Sequence, residues 1–154
     1  MILKLKTGGV TIEILNLGNA CLVENHLDQP HVLISLVDRD PSARPRANGQ
    51  TVATMLFVIY DVDASENYEY AFNKQRSDML ARFVLGAYKN GVKYFRINCM
   101  AGMSRSAAVG VAIAEYFEDH EAAAEIWNQK TPQRTIFSTF LNSLVNIEAY
   151  DKSL

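Results

Sequence analysis

The stretch that most constrains this chain is a strand, a tight turn and a helix read without a break. Val92 to Asn98, VKYFRIN, reads as a strand, and Ala107 to Phe117, AAVGVAIAEYF, is nearly all apolar. A helix that is apolar almost all round must be covered on most of its sides. A strand feeding such a helix through a turn of a few residues belongs to a sheet with helices laid on it. The turn itself, Cys99 to Ser106, reads CMAGMSRS. It combines a thiol, a glycine, two hydroxyls and a guanidinium.

The rest of the chain repeats the alternation. Val10 to Leu17 alternates loosely and predicts a short strand. His31 to Val37, HVLISLV, is a β-branched run that predicts a buried strand, and Thr51 to Tyr60, TVATMLFVIY, predicts the next one, ending at Asp61-Val62-Asp63. Between them, Asp38 to Gln50 holds two prolines, a glycine and three arginines, and reads as a surface loop. From about Glu66 to Asn90 the apolar spacing becomes helical, through Phe72, Met79, Leu80, Phe83, Val84, Ala87 and Tyr88, with Asn90-Gly91 as the stop. Two more helices are expected, about His120 to Gln129 and about Thr135 to Tyr150, separated at Pro132. The fold class is therefore α/β: a central, mostly parallel sheet of four to five strands flanked by helices, in one domain over residues 1–154.

Composition narrows the function classes. Fifteen basic residues against seventeen acidic give a formal charge of −2, so binding of nucleic acid through bulk charge is not expected. No run of about 18 apolar residues is present, so no membrane-spanning helix is expected, and MILKLKTGG is too short and interrupted for a secretory leader. Cys21 and Cys99 make neither a disulfide framework nor a thiolate zinc site, which points to a reduced, cytoplasmic protein.

In open α/β sheets, ligands bind at the carboxyl ends of strands, where the turn after Asn98 lies. Backbone N–H groups of a tight loop entering a helix make a cradle for an anion, and the same field favours a thiolate at Cys99. Arg105 can fold back to grip two oxygens of a phosphate through its planar fork. Gly102 permits backbone angles that a Cβ resists. Ser104 and Ser106 stand at the helix start, able to cap free N–H groups or donate to the sulfur.

The octapeptide Cys99-Met100-Ala101-Gly102-Met103-Ser104-Arg105-Ser106 closely resembles the C-x5-R phosphate-binding loop of the protein tyrosine phosphatase superfamily, in the form found in compact dual-specificity and small bacterial or viral enzymes. The strand HVLISLVD, the strand ending in aspartates, the long helix before the loop and the buried helix after it extend the resemblance over roughly Val32 to Leu144. It implies a dual-specificity-phosphatase-like fold and a phosphomonoester hydrolase working through a cysteinyl-phosphate intermediate. Cys99 would be the nucleophile, Arg105 and the amides from Met100 to Arg105, through Ala101, Gly102, Met103 and Ser104, would bind the phosphoryl oxygens, and Ser106 would help the thiolate leave. A general acid is expected on the loop after an upstream strand. Asp61 fits the family's aromatic-x-Asp pattern in Tyr60-Asp61 best, with Asp63 as the alternative and one of the two as a turn residue. The implied substrate is a phosphorylated protein or a small phosphomonoester, with no cofactor and no metal.

One residue departs from the family. Histidine usually precedes the cysteine, and this chain has Asn98. An amide replaces some of that histidine's hydrogen bonds but not its charge, so slow turnover is expected, and a catalytically weak module that binds a phosphorylated partner is the second reading. The uncharged Met100, Ala101 and Met103 argue against a polyphosphorylated inositol. Arg39, Arg44 and Arg46 read first as a solvated loop and second as contacts for an acidic substrate flank. His26, His31 and His120 are scattered and read as structural or exposed; Trp127 and the Phe137, Phe140, Leu141, Leu144 stripe read as core. Cys21 reads as a small hydrophobe, with a disulfide to Cys99 as the alternative. Gln133 and Arg134 fall near the pocket of relatives without a carried role.

Overall fold

The computed structural model describes residues 1–39, 43–61 and 69–153. Five strands form one sheet: β1 (Ile2–Lys4), β2 (Thr11–Leu15), β3 (His31–Val37), β4 (Thr51–Val58) and β5 (Tyr94–Asn98). Their order is β1-β2-β5-β3-β4, parallel throughout except that β1 pairs antiparallel to β2 at the edge. The helices are α1 (Leu17–Cys21), α2 (Lys74–Lys89), α3 (Arg105–Tyr116), α4 (His120–Gln129) and α5 (Arg134–Ser153), with a 3-10 turn at Val23–Asn25. β1 and α1 carry no strong sequence signal of their own; both are too short to show a period.

Register decides which residues face which side. Ile12, Phe95 and Val32 lie abreast, as do Ile14, Ile97 and Ile34, and all six are buried in the aliphatic core. α3 lies directly on this face. A Cβ at Gly110 would come within 2.9 Å of Ile14, so only glycine allows the helix so close. α5 packs on both α2 and α3, burying Phe140, Leu144 and Ile147. On the other face of the sheet, Glu13 stands beside Arg96 and Ser35 beside Asn98.

Three expectations are corrected, each for a local reason. The first strand ends at Leu15 rather than Leu17, because the Asn16 side-chain oxygen accepts from the Asn19 N–H at 2.7 Å and starts α1. The long helix begins at Lys74 rather than near Glu66. Asn73 caps it by accepting from the Arg76 N–H at 2.9 Å, and residues 62–68 lie outside the described ones. The run from Thr51 to Tyr60 is an edge strand, not a buried one: Val52, Thr54 and Leu56 are exposed while Phe57 is buried. A lone parallel neighbour, β3, covers only one side of it. Among the described residues no helix is long and apolar enough to cross a membrane.

Candidate active site

The turn after β5 stands at the carboxyl end of the sheet's central strand. Its carbonyls are held from outside. Asn98 Nδ2 donates to the Cys99 carbonyl at 3.3 Å, the Leu17 N–H to Met100 at 3.0 Å, the Thr131 N–H to Met103 at 2.9 Å, and the Gln133 N–H to Ser104 at 3.1 Å. In a trans peptide the following N–H points opposite to the carbonyl. Pulling these four carbonyls outward therefore turns the N–H groups of Met100, Ala101, Ser104 and Arg105 toward the inside of the loop. α3 begins at Arg105 and adds its N-terminal field.

Cys99 lies at the floor of this bowl, 2% exposed. Its sulfur accepts from the Gly102 N–H at 3.2 Å and lies 3.1 Å from the Ser106 hydroxyl. Burial pushes the thiol pKa up, but the Ser106 hydroxyl and the amides of Ser106, Gly102 and Ser104 outweigh it, and the net direction is down. Gly102 is required twice over. Its φ is +71°, and a Cβ there would lie 2.8 Å from the backbone of Leu15 and Asn16.

Arg105 is 5% exposed, which a cation tolerates only with partners. One terminal nitrogen donates to Asp38 Oδ1 at 2.7 Å and to the Ile59 carbonyl at 2.6 Å, at the ends of β3 and β4. Its Nε is buried and, among the described residues, has no hydrogen-bond partner. A buried N–H left without an acceptor costs about 1–3 kcal/mol.

Ser104 does not cap α3 with its side chain. Its hydroxyl donates to Asp61 Oδ1 at 2.8 Å, bringing Asp61 to the rim of the loop. Asp63 lies outside the described residues. Asn98 is buried, and its Oδ1 accepts from the Ser35 hydroxyl at 2.6 Å. Because Nδ2 faces the Cys99 carbonyl, a pure acceptor, the amide has one workable orientation and Ser35 must be the donor.

Met103 is partly exposed, with the Lys130 ammonium 3.7 Å from its sulfur. Arg44 and Arg46 are exposed and their backbone docks on α1, accepting from the Cys21 thiol at 2.8 Å and donating to the Ala20 carbonyl at 2.8 Å. The Cys21 thiol faces Arg44 and the Cys99 thiol faces Ser106; both are free. Gln133 is a structural link, its Oε1 accepting from the Ile136 N–H, and Arg134 sits over the Trp127 ring. His31 is fully buried, Nδ1 toward the Gln29 carbonyl and Nε2 toward the Thr51 hydroxyl. His26 meets Asn48 and His120 meets Glu115. Grooves of about 500 and 400 Å³ run along the α2–α5 seam, and no residue of the loop lines either.

Sequence reasoning missed Asp38 and Ser35. An acidic residue at the carboxyl end of a buried strand was the available signal for Asp38. Ser35, a lone polar residue inside HVLISLV, had only its position to mark it.

This architecture is the fold of the dual-specificity phosphatases within the protein tyrosine phosphatase superfamily. Human DUSP28 superposes with a TM-score of 0.61 at 14% identity over 90% of this chain and 94% of its own. The active form of Tk-PTP gives a TM-score of 0.56 at 19% identity over 86% and 91%. The human tyrosine phosphatase-like serine/threonine/tyrosine-interacting protein gives 0.55 at 20% identity over 97% and 96%. No family model and no characterised protein matches the sequence itself.

Proposed function

We propose that this chain is a cysteine-dependent phosphomonoester hydrolase of the protein tyrosine or dual-specificity type, acting as one domain over residues 1–154. The observation that carries the reading is Cys99, a buried thiol whose acidity is raised against burial by amide and hydroxyl donors. In the first step the Cys99 thiolate attacks phosphorus, the S–P bond forms and the P–O bond to the leaving group breaks. Asp61, held at the rim by Ser104, gives its proton to the departing oxygen. In the second step Asp61 takes a proton from water, whose oxygen attacks phosphorus and releases the sulfur. Ser106 donates to that sulfur as negative charge returns to it. Arg105 and the inward amides hold the equatorial oxygens as charge spreads over them. The Nε–H of Arg105 is a donor already desolvated for that task.

The uncharged loop positions Met100, Ala101 and Met103 suit a monoester on a protein or small-molecule hydroxyl, with no cofactor. A reduced cytoplasmic setting fits the need for a free thiol at Cys99. The test is hydrolysis of p-nitrophenyl phosphate from pH 5 to 8, with vanadate inhibition and the Cys99→Ser variant. Turnover lost in Cys99→Ser supports the reading, and a wild-type protein without turnover overturns it.

Asn98 favours a second reading. It supplies hydrogen bonds without the charge of the histidine that the resemblance leads one to expect, and one fold neighbour is named as phosphatase-like and interacting. In that reading the bowl binds a phosphorylated partner without rapid turnover. Phosphopeptide binding that survives without hydrolysis selects it.

A further inference from the structure

We propose that Arg96, on the face of the sheet opposite α3, is a positioning residue for the phosphate loop: it grips Asn25 and, through Asn25, the α1 wall against which the loop is pressed. This rests on the reading of Cys99–Arg105 as a phosphate-binding loop.

Arg96 is 3% exposed, and each of its three guanidinium nitrogens donates a hydrogen bond. Nε donates to Glu13 Oε1 at 2.8 Å, and the same oxygen accepts from the Tyr94 hydroxyl at 3.0 Å. The two terminal nitrogens go elsewhere, to the Asn25 carbonyl at 2.9 Å and the Asn25 Oδ1 at 2.6 Å. A buried ion pair adds little stability over a well-packed apolar pair. Its fork, though, fixes direction as few other groups do.

The chain of contacts continues to the active site. Asn25 Nδ2 donates to the Asn19 carbonyl at 2.8 Å. Asn19 lies in α1, and its N–H donates to Asn16 Oδ1 at 2.7 Å. Leu15 and Asn16 are the backbone that Gly102 meets so closely that a Cβ would not fit. The Leu17 N–H holds the Met100 carbonyl. Gly102 in turn donates its N–H to the Cys99 sulfur.

α1 has five residues, too few to stand as a helix by itself. Its place is set by what holds it from outside. The segment around Arg44 and Arg46 is one hold, the buried Leu17 and Ala20 are another, and Arg96 through Asn25 is a third. Releasing one of these holds lets the wall slacken without freeing it. The expected result is a Gly102 N–H less well aimed at the sulfur and a less acidic Cys99.

The test reads Cys99 without turnover. In a Cys21→Ser background, the rate of alkylation by iodoacetamide against pH gives the apparent pKa of the remaining thiol. Asn25→Ala leaves the Arg96–Glu13 pair in place. Arg96→Lys keeps a cation beside Glu13 but loses the fork. Each is expected to slow alkylation three- to tenfold at a pH below the wild-type midpoint. The double variant is expected to be no worse than the more affected single one, as for two links of one path. A merely structural role lowers the melting temperature in both variants and leaves the alkylation profile unmoved. That result, or effects that add in full, overturns the proposal. If Arg96→Lys does not fold, Asn25→Ala decides alone. Wild-type protein with an acidic Cys99 and no phosphatase activity overturns the proposed function instead, so the two failures are distinct.

Discussion

On the helix-covered face of the sheet, Ile12, Ile14, Val32, Ile34, Phe95 and Ile97 pack side by side and present no polar side-chain atom. On the opposite face the intervening residues of the same strands include Glu13, Tyr94, Arg96, Asn98 and Ser35, each hydrogen-bonded. The two faces differ in what they can specify. Apolar burial is strong and non-directional, so the first face holds the strands under α3 without fixing an angle. Hydrogen bonds and a guanidinium fork add little net energy but set direction. The second face therefore orients α1 and the Cys99 carbonyl. The larger share of the stability is expected from one side of the sheet and the aim from the other.

The largest effect that sharpens this contrast is expected on the apolar face. Phe95→Ala removes a fully buried ring from the core and should lower unfolding free energy by about 3–5 kcal/mol. At temperatures where the variant stays folded, its Cys99 alkylation profile should match wild type. Denaturant melts and alkylation rates measured together check this. A thiol that loses acidity in Phe95→Ala would break the contrast.

Arg105→Lys comes next. A lysine ammonium reaches Asp38 or the substrate but lacks the second, angled N–H of the guanidinium at Nε, which has no partner among the described residues. Loss of a preorganised donor costs about 10²–10³-fold in kcat. Steady-state kinetics on p-nitrophenyl phosphate should show that loss, while the melt changes by far less than in Phe95→Ala.

Asn98→Ala should cost less in rate but speaks directly to the polar face. The Ser35 hydroxyl loses its acceptor and the Cys99 carbonyl its donor, for about 1–3 kcal/mol of stability, together with a less acidic thiol. Asn98→His returns a side chain that can carry charge to the position before the thiol, and is expected to raise turnover several-fold. Unchanged turnover in Asn98→His would show that the amide already supplies all that the position can give.

The apolar face was the legible one. Runs such as HVLISLV and AAVGVAIAEYF announce burial because burial acts on composition and period, and both can be read along the chain. The cysteine loop was legible for another reason: Gly102, Arg105 and the two serines crowd the chemistry into eight consecutive residues. The polar face was not. Ser35 meets Asn98 from 63 positions away, and Arg105 meets Asp38 from 67. Such pairings depend on strand order, which places β5 between β2 and β3 and which no local pattern encodes. The run TVATMLFVIY predicts a buried strand where β4 is an edge for the same reason, since a parallel edge strand and a central one carry similar apolar runs.

The smallest expected effect tests whether the acidity of Cys99 belongs to the folded bowl. An unfolded thiol titrates near its ordinary value of 9.0, and the folded one below it. Between those two values the unfolded chain holds a proton that the native chain has released, so native stability rises with pH across that interval. The contribution is complete above the ordinary value and is lost as pH falls through the lowered folded one. A tenfold difference in acidity between the two states is worth about 1.4 kcal/mol. Cys99→Ser has no group titrating there. The stability of wild type relative to Cys99→Ser should therefore climb as pH rises toward 9 and level off beyond it. His31 works in a different range, because burial lowers its pKa and destabilisation begins as pH drops below about 6.5 in both proteins, cancelling in the difference. Paired denaturant melts from pH 5 to 10 check the slope. A difference that stays flat with pH would mean that the sulfur is no more acidic in the fold than out of it, leaving the polar face with nothing to aim.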